Sequence, residues 1–234
     1  MLQFDCFVES LLSALKYLPR TLLFIVIPLV LGTLFGTIIA LVRVYKVPVL
    51  DKIFSALIII YQGVPVVVAL MIYNLLFNLK FNDFAAFFHL PLTIRDVDVV
   101  WVGVFALTML AIAIISDIIR GALLAVDVRQ NEAGYSVGLT KLQIIRRIII
   151  PQMIPIALPG MVNAVIILIK SSSIVMTVGI CEILKGATLP SSRTYTYFEG
   201  YLAAAIIYWL LAMVVEGVTN PISKRVNRFR KVVN

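Results

Sequence analysis

Lys170 stands inside an apolar run, 155–183, that also carries Asn163 and Thr177. The three are spaced by seven, so on a helix they share nearly one face, drifting only ~20° per heptad. A charge at bilayer depth costs ~2.5–3.5 kcal/mol on insertion scales, so it needs a reason to be there. An ammonium flanked by an amide and a hydroxyl could hydrogen-bond a zwitterion and form the wall of a polar path. It could equally be a structural cation paired with a carboxylate or carbonyls. We place Lys170 near the middle of its span. Ser171, Ser172 and Ser173 widen the face, and interhelix hydrogen bonding suits the serines best. Glu182 falls near the far mouth of such a path, where it meets a solute or faces water. In a second run, Gln62 precedes Gly63 and Pro65, which free backbone groups and weaken a helix. That break is a gate hinge or an ordinary kink.

Covalent chemistry has little to work with. There is no GxxxxGK[ST] loop to cradle a nucleotide, and the single His89 rules out HExxH. The acids are scattered at the ends of apolar runs rather than paired. Cys6 and Cys181 form no CxxC pair and read as free thiols. We expect no catalytic residue, no metal site and no cofactor in this chain.

Composition explains where these side chains must sit. The chain is 62% hydrophobic and 14% charged, against ~25% charged for a soluble domain. It reads as an all-α membrane protein, and 234 residues accommodate about five spans at ~20 residues each. The apolar runs are 22–42, 53–76, 99–119, 155–183 and 201–218. In the first, Gly32, Gly36 and Ala40 recur every fourth residue, letting helix backbones approach. Residues 1–18 lack the basic start of a cleavable signal peptide. Phe4, Phe7, Leu11, Leu15 and Leu18 lie at helical spacing there, predicting an interfacial amphipathic helix stopped at Pro19. Residues 19–223 then form one membrane domain, and 224–234 a basic tail.

The net charge of +8 fits cytoplasmic loops better than nucleic acid. Thirteen of the 20 Lys and Arg residues follow runs one, three and five; six lie on the opposite side. That bias predicts a multi-pass plasma-membrane protein with its N-terminus outside and its C-terminus in the cytoplasm. Asp117 with Arg120, and Glu216 with Asn220 and Lys224, read as boundary anchors.

Between runs three and four lies a polar segment, "RQNEAGYSVGLTKLQIIRRIIIP", 129–151. It predicts a first helix over 128–137 with Ala133 and Val137 on one face. Gly138 supplies a left-handed turn. Thr140 and Gln143 have capping-box spacing for a second helix. There Leu142, Ile145 and Ile149 form a stripe, and Pro151 ends the regular part. Pro151, Pro155 and Pro159, four apart, predict an irregular start to span four, with Pro155 and Pro159 as hinge candidates.

Glu132-Ala133-Gly134, then Gly138, then "IIIP" resembles the EAA loop of ABC importer permeases, with Gly134 in place of the second Ala and Ile150 for Leu. "SDIIRGALLAVDVRQNEA", "YQGVP" and "LIKSSSIVMTVGICEI" resemble motifs of the polar amino acid subfamily, with Gln62 where Arg is usual and Ser171 where Asp is. "SSRTYTYFEGYLAAAIIYW" looks most like cystine-type permeases. The resemblance covers about 200 residues. It implies a type I importer permease whose segment 127–151 couples to a separate ABC ATPase dimer carrying ATP-Mg. It also implies a second permease copy or paralogue and an extracytoplasmic binding protein. Coupling then falls to Arg129, Glu132, Ala133, Gly134 and Gly138. The path falls to Gln62, Asn163, Lys170, Ser171, Ser173, Thr177 and Glu182. Cystine is the favoured substrate, with glutamine or a basic amino acid as alternatives. A stand-alone secondary transporter or channel would want a mid-span coupling-ion carboxylate and usually an internal repeat. The sequence offers neither.

Overall fold

The computed structural model describes residues 3–233, with side chains through residue 221. Its helices are α1 (Phe4–Lys16), α2 (Leu18–Val44), α3 (Leu50–Gly63), α4 (Val66–Phe87), α5 (Val100–Leu124), α6 (Arg129–Ser136), α7 (Lys141–Ile144), α8 (Ile150–Ser171), α9 (Ile183–Thr194) and α10 (Tyr197–Val233). A π turn, Ile145–Ile149, joins α7 to α8, and a 3-10 segment, Ser172–Val178, prolongs α8. No strand occurs among the described residues. Five stretches are long and apolar enough to cross a membrane: Leu18–Val44, Val66–Phe87, Val100–Leu124, Lys141–Val178 and Tyr197–Pro221. The fold is an all-α membrane bundle of five spans with an additional N-terminal helix.

α5 is the axis of the bundle. Residues on all its faces are buried, from Val102 and Val104 through Leu107, Ala111 and Ile115 to Ile119 and Ala122. A helix apolar all round belongs inside a core. α2 lies against it at backbone distance. A Cβ added at Gly32 would stand 2.5 Å from the Ala111 Cβ, and one at Gly36 would stand 3.1 Å from the Ser116 nitrogen. The opposite face of α2, with Leu22, Val26, Val30 and Leu34, is exposed and apolar, as a lipid-facing stripe must be.

The second apolar run breaks where Gly63 and Pro65 stand. Val64 is extended (φ −97°, ψ 127°), as the ring of the following proline requires. The crossing helix, α4, reaches Phe87, eleven residues beyond the expected 76. Polarity there does not end the helix: the Asn78 amide donates to the Asn74 carbonyl (2.7 Å), and Lys80 pairs with Asp83 (3.1 Å) one turn on. Span five likewise continues as helix to Val233, through the segment expected to be a separate tail. The side chains of Lys224, Arg225, Arg228, Arg230 and Lys231 lie outside the described residues.

α1 leaves part of its apolar stripe outward and seats on the bundle through small residues, with Leu11 and Leu18 packed beside them. Ser10 and Ala14 are fully buried, whereas Phe4 and Leu15 are exposed. Small residues let α1 seat on α9: Ser13 donates to the Gly186 carbonyl (2.7 Å), and the Ser10 and Ser191 hydroxyls meet at 3.1 Å. The Gln3 amide donates to Glu199 (2.9 Å), tying α1 to α10 as well. Pro19 sits in the first turn of α2, where its missing N–H costs nothing, so it starts a helix rather than only stopping one.

Close seating at Gly32 makes a direct prediction. Gly32→Ala should destabilise the detergent-solubilised protein by ~1–3 kcal/mol through overpacking. Gly217→Ala, on a helix position with nothing within 4 Å, should be neutral or slightly stabilising. Thermal unfolding of the two variants side by side checks this; equal midpoints would refute the close α2–α5 contact.

Candidate functional site

The heptad stripe is real and faces outward. Asn163, Lys170 and Thr177 are all exposed on the surface of the single chain, with Ser171 and Ser173 half-buried beside them. Lys170 has no hydrogen-bond or ion-pair partner among the described residues. It lies in the last turn of α8, immediately before the helix tightens to 3-10, and so farther from the elbow than mid-span. Two of the serines donate within their own helix, and Ser172 also meets Tyr208 of α10. Ser172 donates to the Ile169 carbonyl, Ser173 to Lys170 and Thr177 to Ile174, each at 2.8 Å within their own strand of helix. The three-residue reach of a 3-10 segment brings those carbonyls under the hydroxyls, which use their protons locally.

Glu182 does not face water. It is fully buried at the start of α9, where it accepts from the Lys185 amide (3.0 Å) as the helix N-cap and from the Tyr208 hydroxyl of α10. Gly179, at φ +88°, ends the 3-10 segment and turns the chain toward it. With both carboxylate oxygens engaged, Glu182 holds α9 and α10 together rather than lining a mouth.

The polar segment folds into two helices meeting at an elbow. Gly138 has φ +77°, the left-handed turn that glycine adopts without strain. Thr140 caps α7: Gln143 Oε1 accepts from the Thr140 amide (2.8 Å), and the Thr140 hydroxyl from the Gln143 amide (3.4 Å). Beyond the cap the chain departs from expectation. The buried residues are Ile144 and Ile149, five apart, while Leu142 is exposed. The π turn at 145–149 imposes that five-residue step, and α8 then runs through Pro151, Pro155 and Pro159 without a break. A π turn widens the helix at Arg147, the carbonyl that the Pro151 ring would otherwise strike. The irregularity thus precedes the prolines.

Gly134 also turns inward. A Cβ there would fall 2.6 Å from Ile144 Cγ1, so its small size serves α6–α7 contact within the elbow. Arg129 is engaged too. Its guanidinium contacts both oxygens of Asp127 (2.6–3.1 Å), and this pairing holds the Asp127 carboxyl below the usual carboxylate range. Glu132, Ala133 and Gly138 remain exposed. So does an apolar set on the elbow: Val128 (69%), Tyr135 (53%), Val137 (74%) and Leu142 (74%). Apolar area of this kind, rimmed by charge, marks a contact surface.

A third constellation was not anticipated. Arg43, whose side chain is 8% exposed, pairs with Asp117 (2.6 Å) and donates to Ser116 (3.2 Å) on α5 and to Ser55 (3.2 Å) on α3. Gln62 donates to the second Asp117 oxygen (2.8 Å). Asp117 is therefore paired across helices, not with Arg120, and Gln62, itself exposed, has its amide engaged by Asp117. The sequence carried one signal for this. Gly32, Gly36, Ala40 and Arg43 continue a single helical stripe, so the face that meets α5 ends on a guanidinium. The cluster spans the α2–α3 turn, where Lys46 (φ 48°) and Val49 (φ 68°) adopt left-handed conformations that non-glycine residues resist. Such strain, of order 1–3 kcal/mol per residue, persists only where the surroundings enforce it.

Comparison with known proteins places this architecture. Residues 32–228 match the family described as the binding-protein-dependent transport system inner membrane component. The chain is 34% identical to the probable amino-acid ABC transporter permease protein PatM of Vibrio harveyi over 218 residues, 92% of each chain. It is 29% identical to the L-cystine transport system permease protein TcyL of Bacillus subtilis, across 91% of this chain and 86% of that one. A crystal structure of an amino acid ABC transporter with histidines superposes with a TM-score of 0.80 at 29% identity, covering 96% of this chain and 99% of that one. The MetNI methionine ABC transporter, in inward-facing conformations, shares the fold at 16% identity and a TM-score of 0.69. The chain belongs to the binding-protein-dependent transport system inner membrane component family and is an ABC importer permease of the polar amino acid type.

Proposed function

We propose that this permease imports cystine, and that its elbow is the handle through which a separate ATPase dimer, carrying ATP-Mg, drives the spans. The observation that carries the coupling half is the projecting α6–α7 elbow. It packs chiefly on itself and the π turn, and it leaves Val128, Tyr135, Val137 and Leu142 uncovered. Glu132 and Ala133 lie on the same exposed unit, and Arg129 approaches with its charge already balanced by Asp127. The elbow end is cytoplasmic on this reading, from the bias of Lys and Arg, and the N-terminus lies outside.

The uncovered stripe supports the pathway half. Asn163, Lys170 and Thr177 face away from every other helix of this chain. An unpartnered ammonium is costly against lipid, so that face belongs against a second permease copy or paralogue, across a water-filled path. There Lys170 would meet the carboxylate of an amino acid delivered by an extracytoplasmic binding protein. The likeness of the 191–209 segment to cystine-type permeases, and the TcyL similarity, favour cystine. Glutamine or arginine is the second reading, supported by similarity to a putative glutamine permease of Rickettsia prowazekii and an arginine permease of Bacillus subtilis.

Reconstitution with the cognate ATPase and binding protein tests the substrate: ATP-dependent uptake of cystine should exceed that of glutamine and arginine, and the reverse order would reassign it. Lys170→Met should lower uptake by about 10- to 100-fold, the worth of a hydrogen bond to a charged group, while Lys170→Arg retains most of it. Equal uptake by Lys170→Met and the parent would remove Lys170 from the path. Gly138→Val forces a β-branched residue into a left-handed turn at ~1–2 kcal/mol. It should cut uptake per ATP hydrolysed roughly tenfold while the protein still reaches the membrane. Unchanged stoichiometry would separate the elbow from coupling.

A further inference from the structure

We propose that Arg43 is a positioning residue of the transport cycle: with Asp117, Ser55, Ser116 and Gln62 it clamps α3 to the α2–α5 pair, leaving the Gly63–Pro65 break as the joint for α4. The assignment of a cycle rests on the importer reading above; the clamp itself rests on the cluster's geometry.

Three observations converge on it. Arg43 is nearly inaccessible, yet its guanidinium reaches two other helices at 2.6–3.2 Å. Asp117 accepts from α2 and α3 at once, one oxygen each. The residues that grip α3 are Ser55, in its second turn, and Gln62, at its last turn beside the break, so both ends of the helix are held. Little else holds it. Apart from Ile58, its residues are exposed or half-buried, and Leu57, Ile59 and Ile60 face outward. A helix with so little apolar burial owes its position to these polar contacts. Tyr61, donating to the Ala106 carbonyl (3.1 Å), is a further tie to α5, and its hydroxyl also meets Tyr73 of α4.

A consequence is that α2, α3 and α5 move as one body at the elbow end. Any rearrangement between that body and α4 must then concentrate at Val64 and Pro65, the two residues between the helices. Without the clamp, motion at the elbow would be lost in α3 rather than passed across the break.

Gln62 offers variants of opposite sign at one position. Gln62→Glu places a carboxylate where the amide now donates to Asp117, and Gln62→Arg places a second guanidinium there. Hydrogen exchange by mass spectrometry on the purified full-length permease reads α3 directly. Amides of 50–63 should exchange about tenfold faster in Gln62→Glu and in Arg43→Ala, with α5 protected as in the parent. In Gln62→Arg they should exchange no faster than in the parent. The charge swap Arg43→Asp with Asp117→Arg should restore most of the protection that Arg43→Ala loses. In the reconstituted assembly, Gln62→Glu should raise ATP consumed per amino acid imported, an effect that loss of stability alone would not produce. The clamp is overturned if Gln62→Glu and Gln62→Arg leave 50–63 alike. It is also overturned if α5 loses protection together with α3, or if the stoichiometry does not move. Failure of the parent assembly to import any amino acid would sink the importer reading and leave the exchange result standing.

Discussion

Backbone contact between α2 and α5 is the constraint from which the rest of the molecule follows. Lipid tails are as apolar as leucine, so burial alone gives two spans little reason to associate. Gly32 and Gly36 remove the side chains that would keep the axes apart, and dispersion between close backbones does the rest. Once α2 lies that near to α5, Arg43 at its end is received by Ser116 and Asp117 on α5 and by Ser55 on α3. A stripe of small residues thus sets both the packing of the core and the position of the buried Arg43 guanidinium. α3, α8 and α4 then assemble on α5, the most deeply buried of the five spans.

At the other end a second set of contacts works by the same logic. Ser10, Ala14 and Gly186 let α1 meet α9, and the hydroxyls of Ser10, Ser13 and Ser191 satisfy one another or backbone carbonyls. Glu182 is buried there with Tyr208 and a backbone amide as partners. A buried carboxyl of this kind is tolerated because its oxygens are engaged. The two ends therefore differ. The elbow end is pinned by an ion pair across a strained turn, and the opposite end by neutral hydroxyls and two buried acids held by backbone amides and Tyr208.

Much of this was legible in the sequence, and the reasons for the remainder are physical. Five spans, the left-handed Gly138 and the Thr140–Gln143 cap depend on local chemistry, so they could be read directly. The Gly63–Pro65 break was legible for the same reason, though the length of α4 was not: Asn78 and Lys80 bond within their own helix, so polarity did not mark its end. Faces were harder. Leu142 was expected inside and lies outside because a π turn shifts the register by one residue, which a period of 3.6 cannot show. The apolar stripe of α1 was legible, but its contact with α9 was not, because close approach selected Ser10 and Ala14. The partners of Glu182 and Gln62 were not legible, because sequence shows a polar residue but not what it bonds. Tyr208 and Asp117, 26 and 55 positions away, decide both cases.

The claim on which the account turns is that the elbow's uncovered apolar face is occupied by the ATPase subunit. A photoreactive residue installed at Val137, 74% exposed in the isolated chain, reads that occupancy in the purified assembly. The account predicts a crosslink to the nucleotide-hydrolysing subunit, and none from an outward position on α2 such as Val30. Crosslinks from Val137 only to lipid or to the permease itself would contradict it.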